Sequence, residues 1–365
     1  MAKRKKSTAL TKATNHSLKG PAVSELLHRD VRALIEAARV QVAHTVNSGL
    51  AALYWRIGQR IQQDVLRGSR ADYGKQIFAT LSRKLMREYG KGFNASALSR
   101  MVQFAERFAD FKIVATLSRQ FGWSHFVELV AIQDQLKRDF YGEMCRIERW
   151  SVRALRAKIA GRLYERTALA KKPEAVIQRD LQLLRDEDRL TPDLVFRDPY
   201  FLDFLGLADT YSEKDLEAAI LRELEKFLLE LGGDFAFLDR QKRITVDGDD
   251  FYLDLLFYHR RLHRLVAIDL KLDKFTPADK GQMEFYLRWL AKHEQQAGED
   301  SPIGLILCAS KSNRQIELLE LEKSGIRVAE YLTELPSREL LDQKLLQAIR
   351  LARAQLATRN GVEGN

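Results

Sequence analysis

An all-helical front half followed by a mixed α/β back half is the fold class this chain predicts, and three observations carry it. From Val23 to about Arg166, apolar residues recur three and four apart, and no run alternates as a strand would. From Glu213 onward, short apolar runs (FYLDLLFY, LVAIDLKL, SPIGLILCAS) alternate with amphipathic stretches. Charge divides near the same place: residues 1–172 hold 33 Lys and Arg against 14 Asp and Glu, and the remainder 27 against 36, within a net charge of +10. A basic half joined to an acidic one is the footprint of a polyanion-binding module attached to a metal-using one, although a basic surface kept for solubility gives the same count.

With 365 residues, 45% hydrophobic and 30% charged, the chain can bury one full core and has the length for two domains. No stretch approaches the roughly 18 apolar residues that suggest a membrane span. The opening MAKRKKSTALTKATNH is basic, with no hydrophobic segment behind it. The expectation is a cytoplasmic protein, neither secreted nor membrane-spanning. Cys145 and Cys308 are the two cysteines and stand far apart, which argues against a disulfide framework or a zinc site.

Taken in order, residues 1–20 are polar and basic without periodicity, as in a disordered arm that could touch phosphates. Residues 21–175 form the expected helical nucleic-acid-binding domain. Within it Tyr73–Tyr89 is one helix, Gly90-Lys91-Gly92 breaks it, and Asn94 or Ser96 can cap a second over Ala95–Phe108. The order resembles a helix-turn-helix, and Ser99, Arg100, Gln103 and Arg107 could enter a major groove. An amphipathic helix pair inside a bundle shares that spacing. Another helix follows Gly122, and Trp150–Arg166 closes the region with a basic face of Arg149, Arg153, Arg156, Lys158 and Arg162, suited to phosphate contact. Two prolines mark the entry to a second domain over residues 176–360. There Glu213–Leu231 reads as one helix ended by Gly232-Gly233, and Phe235–Thr245 as a strand. Asp247-Gly248-Asp249 turns the chain into FYLDLLFY, and LVAIDLKL follows. Pro277 then opens a helix, SPIGLILCAS is a buried strand, a helix starts near Asn313, and Ile326–Tyr331 is the last strand. The result is a mixed sheet flanked by helices.

The chemistry concentrates at the ends of two apolar strands, where Asp254 ends one and Asp269-Leu270-Lys271 ends the next. Burying two carboxylates there is costly unless a cation or hydrogen bonds compensate them. Asp254 and Asp269 can converge on one Mg²⁺ or Mn²⁺, with the Leu270 backbone carbonyl completing the shell. Lys271 lies two residues after Asp269, so it shares that face of the strand and can point its ammonium at the same phosphate or orient an attacking water. Taken singly, Asp254 could cap a turn and Lys271 could be a snorkelling edge residue. His259 and His263 fall in the turn between these strands and read as surface histidines.

An acid followed on the neighbouring strand by Asp-x-Lys resembles the PD-(D/E)XK nuclease superfamily, which implies a restriction-endonuclease-like sheet. Gln282 and Tyr286, in GQMEFY, resemble the Gln-x-x-x-Tyr element of some of its members, and their spacing places both on one helical face. More closely, DFAFLDRQ, DFYLDLLFYHRRL, LVAIDLKL and GQMEFYL, with LYWRIGQRI, YGKGFNASALSRM and WSVRALRAKI ahead of them, resemble the YhcG family over about residues 25–350. Leu253 stands where the superfamily motif has proline. The resemblance implies a glutamate on the preceding helix; Glu217 fits best, in a column with Leu221, Leu224, Leu228 and Leu231, and Glu223 is the fallback. Arg240 and Gln241, in the strand before the site, could contact the scissile strand or be ordinary strand polar residues.

Together these readings lead to a Mg²⁺- or Mn²⁺-dependent DNA endonuclease acting on duplex or branched DNA. The resemblance suggests DNA repair, mobile-element processing or defence. A DNA-binding or partner-recruiting protein with a non-catalytic nuclease fold is the alternative, and RNA stays open as a substrate. The helix over Ser337–Ala357 is a candidate homodimer interface, and its apolar residues could equally pack on the sheet.

Overall fold

Residues 25–67, 71–207 and 210–362 are described by the computed structural model, so the arm expected over residues 1–20 lies outside the described residues. The front half is helical, as its periodicity predicts: α1 (Glu25–Arg67), α2 (Ala71–Tyr89), α3 (Ala95–Arg107), α4 (Phe111–Leu117), α5 (Trp123–Val130), α6 (Gln135–Glu148), α7 (Val152–Ala160), α8 (Leu163–Arg166) and α9 (Glu174–Glu187). Between α2 and α3, Gly90 takes φ 89° and the Asn94 side chain accepts the Ala97 N–H at 2.9 Å, which starts α3. The buried stripe of α3 is Leu98, Met101, Phe104 and Ala105. α1 crosses it so closely that a Cβ on Gly58 would lie 1.9 Å from the Met101 carbonyl oxygen, so glycine is required there.

Trp150–Arg166 departs from the expected closing stretch. Ser151 caps α7, Gly161 ends it, and Arg162 at φ 54° redirects the chain into the single turn of α8. Its basic face is smaller than the sequence suggests. Lys158 Nζ donates to the Leu229 carbonyl at 3.1 Å, and Arg162 makes a two-pronged ion pair with Asp342.

The back half runs α10 (Pro192–Val195), β1 (Tyr200–Phe201), α11 (Glu213–Arg222), α12 (Leu224–Leu231), β2 (Phe235–Val246), β3 (Asp249–His259), β4 (Arg264–Lys274), α13 (Pro277–His293), β5 (Ile303–Ser310), α14 (Asn313–Leu318), β6 (Ile326–Leu332) and α15 (Arg338–Val362). The strands form one sheet in the order β1-β6-β5-β4-β3-β2; β2, β3 and β4 are antiparallel neighbours, and β4, β5, β6 and β1 run parallel. Asp247 and Gly248, with φ of 53° and 93°, make the two-residue hairpin turn between β2 and β3.

Helices cover both faces, which is why the central strands are apolar on both sides. On one face Leu216, Ile220, Phe227 and Leu231 of α11 and α12 meet Leu255, Phe257, Ile268 and Leu270, and this core continues into the helical half. On the other, Met283, Tyr286, Leu287 and Leu290 of α13 cover Leu253, Ala267 and Ile306. α13 sits so close that a Cβ on Gly304 would come 2.6 Å from the Met283 side chain.

The single helix expected over Glu213–Leu231 is two helices, broken at Glu223. Its buried column is Leu216, Ile220, Phe227 and Leu231, while Leu221, Leu224 and Leu228 are only partly buried. His259 corrects the surface reading. It pairs with Phe235 across the hairpin, is buried, and accepts the Leu262 N–H at Nδ1. No helix among the described residues is long and apolar enough to cross a membrane.

Candidate active site

β3 and β4 pair from His259 and Arg264 as far as Leu255 and Ile268, and the ladder ends there. The site lies where it ends. The next β4 donor on that side, the Leu270 N–H, is taken instead by the Asp254 carboxylate, whose Oδ2 accepts it at 2.8 Å. Leu270 thus meets Asp254 through its N–H. The other oxygen, Oδ1, accepts a hydrogen bond from Gln241 Nε2 at 3.0 Å, and the same nitrogen donates to Glu217 Oε2 at 2.8 Å. The hairpin register explains this meeting: Arg240 faces Leu255 and Lys242 faces Leu253, so Gln241 stands opposite Asp254.

Asp269 is 2% exposed. Its Oδ2 has no hydrogen-bond partner, although Lys271 Nζ lies 2.9 Å away as an ion pair without hydrogen-bond alignment. Burial, and then the Asp254 charge beside it, push the Asp269 carboxyl up to about 7 against the pull of Lys271. For Lys271, burial is the largest influence and works against the charged form, but Asp269, Glu213 and Asp254 together raise the proton affinity. Glu217 is also raised, by burial first and by Asp254, against the Gln241 hydrogen bond. Lys271 Nζ donates to Gln282 Oε1 at 3.4 Å, Gln282 Nε2 donates to the Tyr286 hydroxyl at 2.7 Å, and that hydroxyl donates to the Tyr252 carbonyl at 2.8 Å. This relay ties the lysine to the backbone of β3.

Two acids forced together, one with an orphaned buried oxygen, lack a positive partner on the side away from Lys271. Among the described residues no group of three or more His, Cys, Asp or Glu side chains is placed to hold a metal. The donor set is therefore Asp254 and Asp269, with Glu217 joined through Gln241. A magnesium-like ion fits such a set, because it binds through one or two carboxylates and keeps several waters.

The structure brings Glu217, Gln241, Asp254, Asp269, Lys271, Gln282 and Tyr286 together. Of the remaining candidates Arg240 lies near enough for its charge to act on Glu217, and the others stand elsewhere. Arg100 and Gln103 are exposed on α3, Arg107 donates to Gln133 at 2.8 Å, Arg153 is exposed on α7, and Arg156 pairs with Glu128 at 2.6 Å. Arg240 is exposed on β2. One contribution was not read from sequence: Glu213, in the first turn of α11, adds to the field on Lys271. It lies four residues before Glu217 on the same helix face, and that spacing is the signal that could have found it.

Residues 193–346 match the YhcG PDDEXK nuclease domain and residues 30–166 match the DUF1016 N-terminal domain. YhcG of Escherichia coli (strain K12) is 34% identical over 352 residues, a match covering 88% of this chain and 93% of that one. Among solved structures, a repair endonuclease from Pyrococcus abyssi is 22% identical over 35% of this chain and 50% of its own, with a TM-score of 0.25. EndoMS in complex with dsDNA is 20% identical over 36% of this chain and 48% of its own, with a TM-score of 0.27. Identity along nearly the whole length, with both halves matched, places the chain: it belongs to the YhcG family, and its back half is that family's PD-(D/E)XK nuclease domain.

Proposed function

We propose that this protein is a Mg²⁺- or Mn²⁺-dependent DNA endonuclease that hydrolyses phosphodiester bonds at the site built on β3 and β4. One observation carries the reading. The Asp254 charge acts on buried Asp269, whose Oδ2 accepts no hydrogen bond, and Lys271 stands 2.9 Å from that oxygen as an ion pair. Asp254, Asp269 and the Leu270 carbonyl would hold the cation. Bound there, a divalent ion supplies charge for the nonbridging phosphate oxygen and an acidified water.

The chain's own residues do the rest. Lys271, held by Asp269 and Gln282, presents an ammonium to the phosphate and favours the charge that builds on it. Tyr286 and Gln282 fix where that ammonium points. Glu217, with its raised proton affinity, can take a proton at Oε1, the oxygen that Gln241 does not engage. Residues 21–175 would bind the DNA, duplex or branched, with Arg100 and Gln103 of α3, Arg153 of α7 and Arg240 of β2 as exposed contacts. α15 is the surface on which two copies would pair for a double-strand cut.

Purified protein with Mg²⁺ is expected to nick or degrade at least one of supercoiled, linear, branched and single-stranded DNA. Asp254→Ala, Asp269→Ala and Lys271→Ala should each abolish this. A wild-type protein inert on all four, with DNA binding indifferent to Mg²⁺ and to those substitutions, would leave a binding protein on a nuclease fold.

A further inference from the structure

We propose that Gln241 is a positioning residue: its single amide nitrogen holds Glu217 and Asp254 at a fixed spacing, so that the acid set is arranged before a divalent cation arrives. The proposal rests on reading this centre as a metal-dependent nuclease site, and it assigns Gln241 a role other than the nucleic-acid contact that its strand position suggests.

Two independent observations support it. The first is the bridge itself. Gln241 Nε2 donates at 2.8 Å to Glu217 Oε2 and at 3.0 Å to Asp254 Oδ1, which uses both of its hydrogens. Two like charges on different elements, α11 and β3, would otherwise move apart. A neutral double donor relieves that repulsion and leaves each acid its second oxygen. Lysine or arginine here would neutralise the acids and compete with a metal, glutamate would add a third negative charge, and asparagine is one methylene shorter.

The second is the backbone. Gln241 lies inside β2 at φ 46°, in the left-handed region, whereas strand residues sit near −120° or beyond. Residues with a Cβ avoid this region. Arg240↔Leu255 and Lys242↔Leu253 keep one register on either side of it, and the register shift of this strand pair lies further back, between Phe237 and Asp239. The turn of the strand serves the reach of the side chain, and strained backbone held beside reactive groups marks function. Gln241 is also exposed, so the fold does not need the bridge for burial.

The test uses the full chain and Mn²⁺ alone, followed by calorimetric titration without nucleic acid. Gln241→Met keeps length and removes the donor; Gln241→Gly accepts the backbone angle and removes the side chain. Both are expected to bind Mn²⁺ about tenfold more weakly, as outer-shell partners of metal ligands typically require. The melting temperature should not fall in both variants, since glycine relieves the left-handed backbone that methionine keeps, and on cleaved DNA kcat should fall with KM unchanged. Unaltered Mn²⁺ affinity with a raised KM would return Gln241 to a phosphate contact and overturn the proposal. A lower melting temperature in both variants would make the role structural and overturn it equally. If wild type takes up Mn²⁺ and loses affinity on substitution yet cuts no DNA, the nuclease reading falls and the positioning role stands; uptake of no Mn²⁺ at all removes both.

Discussion

Asp269→Asn should make the metal-free protein more stable while abolishing cleavage, and the gain should depend on pH in a defined direction. Asp269 is 2% exposed and its carboxyl is pushed up to about 7 by burial and then by Asp254. The folded state therefore holds this proton more tightly than the unfolded chain, whose aspartate titrates near 3.8. Stability is undiminished below the unfolded value, declines as pH rises from there, and the full penalty is in place above about 7. The shift of about three units corresponds to about 4 kcal/mol at about 1.4 kcal/mol per unit, an upper figure for so deeply buried a carboxyl. An asparagine amide carries no charge to desolvate but must find partners of its own, so a gain of about 2 kcal/mol at pH 8 is expected, shrinking toward zero near pH 4. Urea unfolding in EDTA of both proteins between pH 4 and 8 measures this. Saturating Mg²⁺ should raise the wild-type midpoint and leave that of Asp269→Asn nearly fixed. A difference that stays flat across this range, or a variant less stable at pH 8, would refute the account of Asp269 as an acid whose burial and neighbour Asp254 outweigh its ion pair with Lys271.

Three further outcomes follow from other parts of the fold. Burial lowers the His259 ring to about 4 against the pull of Asp234, and Nδ1 already accepts the Leu262 N–H, so charging it would set two donors face to face. Its contribution is present above about 6.5 and is lost as pH falls toward 4; His259→Gln should remove this acid limb from a pH series of urea midpoints. Gly58→Ala drives a methyl group to within 1.9 Å of the Met101 carbonyl and should lower the unfolding free energy by about 2 kcal/mol or more, read in a thermal melt. Tyr286→Phe removes the hydroxyl between Gln282 and the Tyr252 carbonyl. With Lys271 less firmly aimed, kcat should drop about tenfold with little change in KM, and an unchanged kcat would show that the relay does not matter.

How much of this was legible depended on whether the signal was local. Asn94 as a cap, Gly90 as a break and Asp247-Gly248 as a turn are each set by a few adjacent residues, and each is found where expected. The apolar runs around Asp254 and Asp269 gave their strands, although each acid stands in mid-strand, sixth of eleven residues, rather than at the end expected, and the pleat gave Lys271 its face. The break at Glu223 was hidden because RELEKF continues a helical pattern, and only packing of Phe227 and Leu231 against the sheet changes the direction. β1 has two residues, Tyr200 and Phe201, and exists through its parallel pairing with Tyr331 and Leu332. His259 reads as a turn residue because nothing local marks the end of β3, and only its pairing with Phe235 carries the strand that far. Gln241 could have been found. Counting back from a two-residue turn at Asp247-Gly248 puts it opposite Asp254.

Charge is where sequence and structure differ most in meaning. The excess of Lys and Arg over residues 1–172 suggests a surface made for a polyanion, but part of it faces the acidic half of the same chain. Arg162 binds Asp342, Arg166 binds Glu230, Lys171 binds Asp198, and Lys172 binds Asp193 and Glu322. Each pair joins a basic front residue to an acidic back one, so the opposite signs of the halves hold the halves together. Arg166 and Glu230 are both buried enough that breaking the pair leaves an uncompensated charge, unlike an exposed pair such as Arg156 with Glu128. Among the described residues of the front half, Arg83, Lys84, Arg87, Lys91, Arg100, Arg119, Arg149 and Arg153 stay exposed outside these pairs, so the pairs remove only part of the basic surface. Counterion release scales with the phosphates neutralised, so the slope of log affinity against log salt counts how many of these cations meet a nucleic acid. Arg100→Ala or Arg153→Ala should each lower that slope by about one, and Arg162→Ala should instead lower the melting temperature. A slope unmoved by the first two and reduced by the third would mean that the internal pairs open to meet the nucleic acid.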